Sequence, residues 1–170
     1  LRRAAIPYDI VGGVRFYERA EVKDALAYAR VAANPADGVS LERIINVPPR
    51  RIGERSLERL KRFAAEKGVS LLETLAHGGD IEGLPRAAAD SALALAGAMA
   101  RAGAKAGSEP VDRVLESLLD DCGYLSWLGS GDGEEGSQRL ANVQELISAA
   151  SEFVETSGET SLDAFLEQVS

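Results

Sequence analysis

A compact, mainly α-helical domain is predicted by three features of this sequence. Apolar residues make up 45% of its 170 positions but aromatics only 5%. Ala and Leu dominate the apolar set and favour helix over sheet. Apolar positions recur every three or four residues, and the breaks in that rhythm fall at proline and glycine. The length suits one domain with a real hydrophobic core.

Taken in order, residues 6–11 (IPYDIV) form a short apolar run closed by Gly12-Gly13 and read as one short N-terminal strand. Residues 21–33 carry Val22, Leu26, Ala29 and Ala33 at helical spacing, and Asn34-Pro35 stops them. Ser40 is the predicted N-cap of a short helix bearing Leu41, Ile44 and Ile45, ended by Pro48-Pro49. A further helix is predicted over 54–67, opened by Gly53, with Leu57, Leu60 and Ala64 on one face and Gly68 as C-cap. Ser70 begins a short helix through residue 75, and 78–83 is a loop. Helices follow over 85–104 and over 110–121, the latter with Val111, Val114, Leu115 and Leu118 as its buried stripe. Residues 129–136 (GSGDGEEG) read as the most flexible stretch. A long amphipathic helix is predicted over 137–156, and Ser161 caps a last one through 169.

The net charge is -8, with a pI of about 4.8. Contact with nucleic acid must therefore be local, on a patch whose charge opposes the whole. With one cysteine, Cys122, no intrachain disulfide is possible. No apolar run approaches the ~20 residues that span a bilayer, and no signal peptide is visible. A cytoplasmic setting without membrane contact is expected. The chain opens on Leu1 rather than Met and is expected to be a segment of a longer protein.

Several chemistries lack their residues. There is no G-x-x-x-x-G-K-[ST] phosphate loop and no G-x-G-x-x-G after a strand. His77 is the one histidine and sits beside Gly78-Gly79 in a predicted surface loop, where a general base would lack a held partner. One His, one Cys and scattered carboxylates offer no metal-ligand spacing. No catalytic residue is assigned, and the chain alone is not expected to hydrolyse ATP.

The informative stretch is 44–63, IINVPPRRIGERSLERLKRF. A short helix ends in proline, a tight turn carries Ile52-Gly53, and a second helix begins. This is the outline of a helix-hairpin-helix, which binds the DNA backbone without reading sequence. Glycine lets a phosphate approach the main chain, and the following helix offers unpaired N–H groups and the positive end of its dipole. Ile52 is expected to tuck under the hairpin. Six cations, Arg50, Arg51, Arg55, Arg59, Lys61 and Arg62, stand here against Glu54 and Glu58, so the segment is locally positive in an acidic chain. Arg51, Arg55, Arg59 and Arg62 recur at helical spacing. The expected DNA contacts are Arg50, Arg51, Ile52, Gly53, Arg55, Ser56, Arg59 and Arg62. The competing reading is a solvated basic helix balanced by Glu54 and Glu58.

A longer match bears on that choice. Residues 6–53 contain, in order, I-P-Y, G-G, F-Y-E-R-A-E-V-K-D, A-Y-A-R, N-P and R-I-I-N-V-P-P-R-R-I-G. They resemble the region downstream of motif IV in superfamily 1 DNA helicases of the UvrD/PcrA/Rep type. Residues 137–153 (SQRLANVQELISAASEF) and the closing SLDAFLEQVS resemble later parts of the same region. The resemblance implies an accessory insert, 2B, carried by a motor domain and contacting duplex DNA at a fork through a Gly-Ile-Gly turn. It implies residues 1–20 as junction to the motor and 21–170 as the insert, with ATP and Mg2+ bound by the parent 3'-5' helicase elsewhere. Repair or replication proteins and the motor domains of the same chain are the implied partners. Gly12, Gly13, Arg19, Glu21 and Lys23 are the implied hinge, with a capped, ion-paired helix start as the plainer reading. Arg51 departs from the pattern by replacing the first glycine of the turn. Tyr8, Phe16, Tyr17 and Tyr28 are expected in core or junction packing, Tyr124 and Trp127 under the glycine loop, and Asn142 as a structural hydrogen bonder. A helical protein-interaction or autoinhibitory scaffold with incidental DNA contact is the alternative function.

Overall fold

The computed structural model describes residues 14–170, all helix and connecting turn. The expected strand at 6–11 and the Gly12-Gly13 pair lie outside the described residues. A short helix, α1 (Val14–Glu18), leads into α2 (Ala20–Ala33), the hub of the fold. Val22, Ala25, Leu26, Ala27, Tyr28, Ala29, Val31 and Ala32 of α2 are all buried. A helix apolar nearly all round must be enclosed on every side, and α3 (Gly38–Ile44), α6 (Arg86–Ala106), α7 (Val111–Asp121), α9 (Gly133–Ser157) and α10 (Leu162–Val169) pack around it. The alanines of α2 and α6 allow the two helices to approach closely, with Ala92, Leu95, Met99 and Ala102 as the inner stripe of α6.

Three details differ from the sequence expectation. Asp37, not Ser40, caps α3: its Oδ1 accepts from the Ser40 N–H at 3.0 Å and its Oδ2 from the Ser40 hydroxyl at 2.8 Å. These two bonds hold the Asp37 carboxyl below its ordinary pKa. Residues 124–129 form a helix, α8, placed by Tyr124, which is fully buried.

The segment expected to be flexible is instead ordered by contact. α9 begins at Gly133, and Gly136 is buried against the backbone of Gly131, where a Cβ would come within 2.7 Å of the Gly131 carbonyl. Those glycines serve a close approach between two backbones rather than mobility.

The amphipathic α4 (Glu54–Lys67) lies at the periphery, against α5 (Leu71–Leu75). Only Ser56 and Leu60 of α4 are buried. Full burial of Leu60 supplies roughly 1.5–3 kcal/mol toward holding the helix in place. Its other face is charged and exposed. Gly68 ends α4 with left-handed backbone, φ 67, and Ser70 caps α5. Among the described residues no helix is long and apolar enough to cross a membrane.

Candidate nucleic-acid interface

The turn joining α3 to α4 is built from the inside outward. Ile44, Ile45 and Ile52 are buried, which pins both ends of the turn to the core. The Val47–Pro48 peptide is cis. Tyr28, buried on α2, donates its hydroxyl to the Val47 carbonyl at 2.6 Å. Burial raises the Tyr28 pKa well above the ordinary tyrosine value, so the hydroxyl keeps its proton and remains a donor.

Asn46 closes the turn between α3 and α4. Its Oδ1 accepts from the N–H of Arg50 at 3.2 Å and of Ile52 at 3.1 Å, and its Nδ2 donates to the Ile52 carbonyl. One amide thus satisfies three main-chain groups that the tight turn leaves without ladder partners. Sequence reasoning passed over this residue, though a lone Asn before Val-Pro-Pro between two helices was a usable signal.

The Asn46 clamp places Arg51 and Gly53 at the exposed tip. Arg51 has left-handed backbone, φ 61, the one described non-glycine residue with positive φ. The resemblance puts a glycine here. The structure keeps the conformation that glycine would favour and imposes it on an arginine, so the turn stays tight. Gly53 is extended, φ -72 and ψ -179, and opens α4 with no side chain capping the first-turn amides.

Arg51, Arg55, Arg59 and Arg62 are exposed, and among the described residues no carboxylate lies within ion-pairing distance of any of them. Arg55, Arg59 and Arg62 line one shallow notch on α4 together with Glu58. Lys61 lies apart from them, paired with Glu42 at 3.3 Å.

Three of the expected contact residues, Arg50, Ile52 and Ser56, are turned away from the surface. The Arg50 guanidinium turns inward, donating to the carbonyls of Ile44 at 2.6 Å, Ile45 at 3.2 Å and Cys122 at 3.0 Å, and to the Tyr28 hydroxyl. It also stacks over the Tyr28 ring at 5.6 Å. The carbonyls at the end of α3 attract this cation more strongly than solvent does, because they have few other donors. Ser56 is buried on the inner face of α4. Ile52 is buried as expected, and both its main-chain groups are taken by Asn46.

The implied hinge residues within the described range stand at the start of α2. Glu21 accepts from Asn142 Nδ2 at 2.7 Å, and its carbonyl accepts from the Tyr124 hydroxyl at 3.0 Å. Asn142 also accepts from Gln138 at 3.1 Å, which makes it the structural hydrogen bonder expected. Arg19 precedes α2 and its carbonyl accepts from the Lys23 N–H at 2.9 Å, while the Lys23 side chain is exposed. Phe16, Tyr28 and Tyr124 are core residues and Tyr17 is half-buried, whereas Trp127 is 40% exposed and only partly covered. Tyr8 lies outside the described residues. His77 is exposed, its Nδ1 3.8 Å from Asp80. The Cys122 thiol beneath Arg50 is pushed up to about 11, chiefly by burial, and stays protonated at neutral pH.

A clamped turn between two helices, followed by a basic face with no carboxylate partner among the described residues and carried on a chain of net charge -8, defines the class: an all-helical domain with one local basic face. Comparison with known proteins makes this more particular. Residues 1–79 match the family model for the UvrD-like helicase C-terminal domain. The chain is homologous to the UvrD, PcrA and DNA helicase II proteins. It is 34% identical over 166 residues to the ATP-dependent DNA helicase PcrA of Bacillus subtilis, covering 98% of this chain and 22% of that protein. It is 37% identical over 155 residues to the ATP-dependent DNA helicase UvrD1 of Mycobacterium tuberculosis, covering 90% and 20%. Against the probable DNA helicase II homolog of Rickettsia conorii it is 35% identical over 150 residues, covering 88% and 23%. The chain therefore spans less than a quarter of the length of the curated relatives it matches.

Proposed function

We propose that this chain is the accessory 2B insert of an ATP-dependent 3'-5' DNA helicase acting in repair or replication, and that it grips duplex DNA by the backbone without reading sequence. The observation that carries the reading is the exposed tip at Arg51 and Gly53, continued along α4 by Arg55, Arg59 and Arg62, which have no carboxylate partner among the described residues. Unpaired guanidinium groups beside uncapped first-turn amides suit phosphate oxygens. The acidic remainder of the chain, net -8 overall, keeps other surfaces off the DNA. In this proposal residues 1–20 join the insert to the motor domains of the same protein. In the same proposal ATP and Mg2+ are held by those motors, since no phosphate loop occurs in this sequence.

The test is Arg55→Ala with Arg59→Ala. Each lost phosphate contact removes about 0.9 from the slope of log affinity against log salt, so the double variant should be shallower by about 1.8. At 0.1 M salt that corresponds to roughly 60-fold weaker binding, on every duplex sequence alike. Unchanged affinity and slope would reduce the basic face to a solvated surface.

Trp127 favours a second reading, a protein-interaction or autoinhibitory scaffold with incidental DNA contact. It is one of the few large apolar side chains left exposed among the described residues. Trp127→Ala that abolishes capture of a repair or replication protein, with duplex affinity intact, would establish that reading.

A further inference from the structure

The turn at residues 81–84 touches the basic face at one point. It is closed by the Leu84 N–H donating to the Ile81 carbonyl at 3.2 Å, and Ile81 and Leu84 pack against the core. Gly83 between them has φ +82, and a Cβ there would sit 2.5 Å from Arg59 Nη1 and 2.8 Å from its Cζ. The Arg59 guanidinium therefore lies against the bare Cα of Gly83, on a turn anchored at both sides. Asp80, Glu82 and Glu66 line a second notch, together with Arg59 and Arg62, yet among the described residues none of the three is within ion-pairing distance of either arginine.

We infer that Gly83 is a positioning residue for the basic face, a shelf that holds the Arg59 guanidinium outward on α4 in the place where it meets a phosphate. The inference rests on the proposed duplex-binding role of that face. A flexible arginine loses side-chain freedom when it binds, and one already seated loses less. Positive φ alone is a sufficient reason for glycine at 83, so the test must separate backbone from shelf. Asparagine does so: it tolerates left-handed backbone but carries a Cβ. Because the atoms it would meet are the far end of a flexible side chain, Arg59 is displaced while the turn stays intact.

The experiment is fluorescence anisotropy of the 170-residue chain with a labelled 20-base-pair blunt duplex at 0.1 M salt, for Arg59→Ala, Gly83→Asn and the double variant. Loss of one phosphate contact is worth about 8-fold under these conditions. Arg59→Ala should weaken binding by about that factor, Gly83→Asn by a similar one, and the double variant by no more than either. The inference is overturned if Gly83→Asn binds like the parent while Arg59→Ala does not, or if the two losses multiply. If Arg59→Ala itself leaves affinity unchanged, the duplex-binding role of α4 fails and takes the shelf with it. A measurement on the unaltered chain guards against a misfolded variant. 15Nε relaxation should show the Arg59 side chain markedly more ordered than that of Arg55, and equal mobility of the two overturns the inference.

Discussion

Arg50→Met should destabilise the fold and leave the salt dependence of duplex binding untouched. The guanidinium supplies donors to Ile44, Ile45 and Cys122 carbonyls and to the Tyr28 hydroxyl. After its removal the Ile44 carbonyl retains the Val47 N–H at 3.0 Å, but the Ile45 and Cys122 carbonyls lose their Arg50 donors. A hydrogen bond from a charged donor contributes about 1.5–3 kcal/mol, and a carbonyl left unsatisfied costs about 1–3 kcal/mol. The stacking on Tyr28 adds about 0.5–1 kcal/mol. Against these stands the methionine, which need not be desolvated as a cation. A net loss of about 3 kcal/mol follows, and for a domain of this size it lowers Tm by roughly 6–12 °C. Urea unfolding followed by far-UV circular dichroism gives the stability, and anisotropy titrations at several salt concentrations give the slope. If Arg50→Met instead unfolded within about 1 kcal/mol of the parent and flattened the slope by about one unit, the guanidinium would face phosphate. The inward geometry would then be refuted.

The other predictions turn on single backbone or capping positions. Arg51→Gly relieves left-handed strain at φ 61 and should raise stability by about 0.5–1 kcal/mol in urea unfolding. It should also shallow the salt slope by about one unit; a loss of stability would mean that the Arg51 side chain holds the turn. Gly136→Ala brings a Cβ to 2.7 Å from main-chain atoms of Gly131, which cannot swing away. It should cost about 1–3 kcal/mol despite the better helix propensity of alanine, and an unchanged urea midpoint would show that the two segments do not touch. Asp37→Ala should cost about 1 kcal/mol at pH 7 through the lost cap of α3. Because folding lowers the Asp37 pKa, its contribution is present above the ordinary aspartate value of 3.8 and is lost as pH falls through the folded value. Parent and variant stabilities should thus converge in acid; a constant gap down to pH 2 would remove the carboxylate from the cap.

Helix existence was legible almost throughout, because apolar spacing records which face of each helix is covered. Residues 54–67 are helical as the spacing predicts, as are 71–75 and 162–169, each with its capping serine or glycine in place. The misses share a cause. Ser40 and Asp37 are both good cap residues three positions apart, and only the entry angle of the chain into α3 selects between them. Glycines in 129–136 suggest freedom when read singly, yet two of them are required by each other. Of the candidate site, the tip and the α4 arginines were readable as a local excess of charge. The partners of Arg50 were not, since Cys122 is 72 residues away.

By itself the sequence determined the helical class, the positions of most turns, and the concentration of positive charge in a chain of net -8. These follow from local spacing and composition, which act within a few residues. Only the tertiary structure decided how the arginines divide. Arg50 is drawn inward by carbonyls from two helices, Arg59 lies on a glycine brought beside it by another turn, and the remainder stay in solvent. The physical reason is that a guanidinium goes where unsatisfied acceptors or open space are brought to it, and both are created by packing between segments distant in the chain.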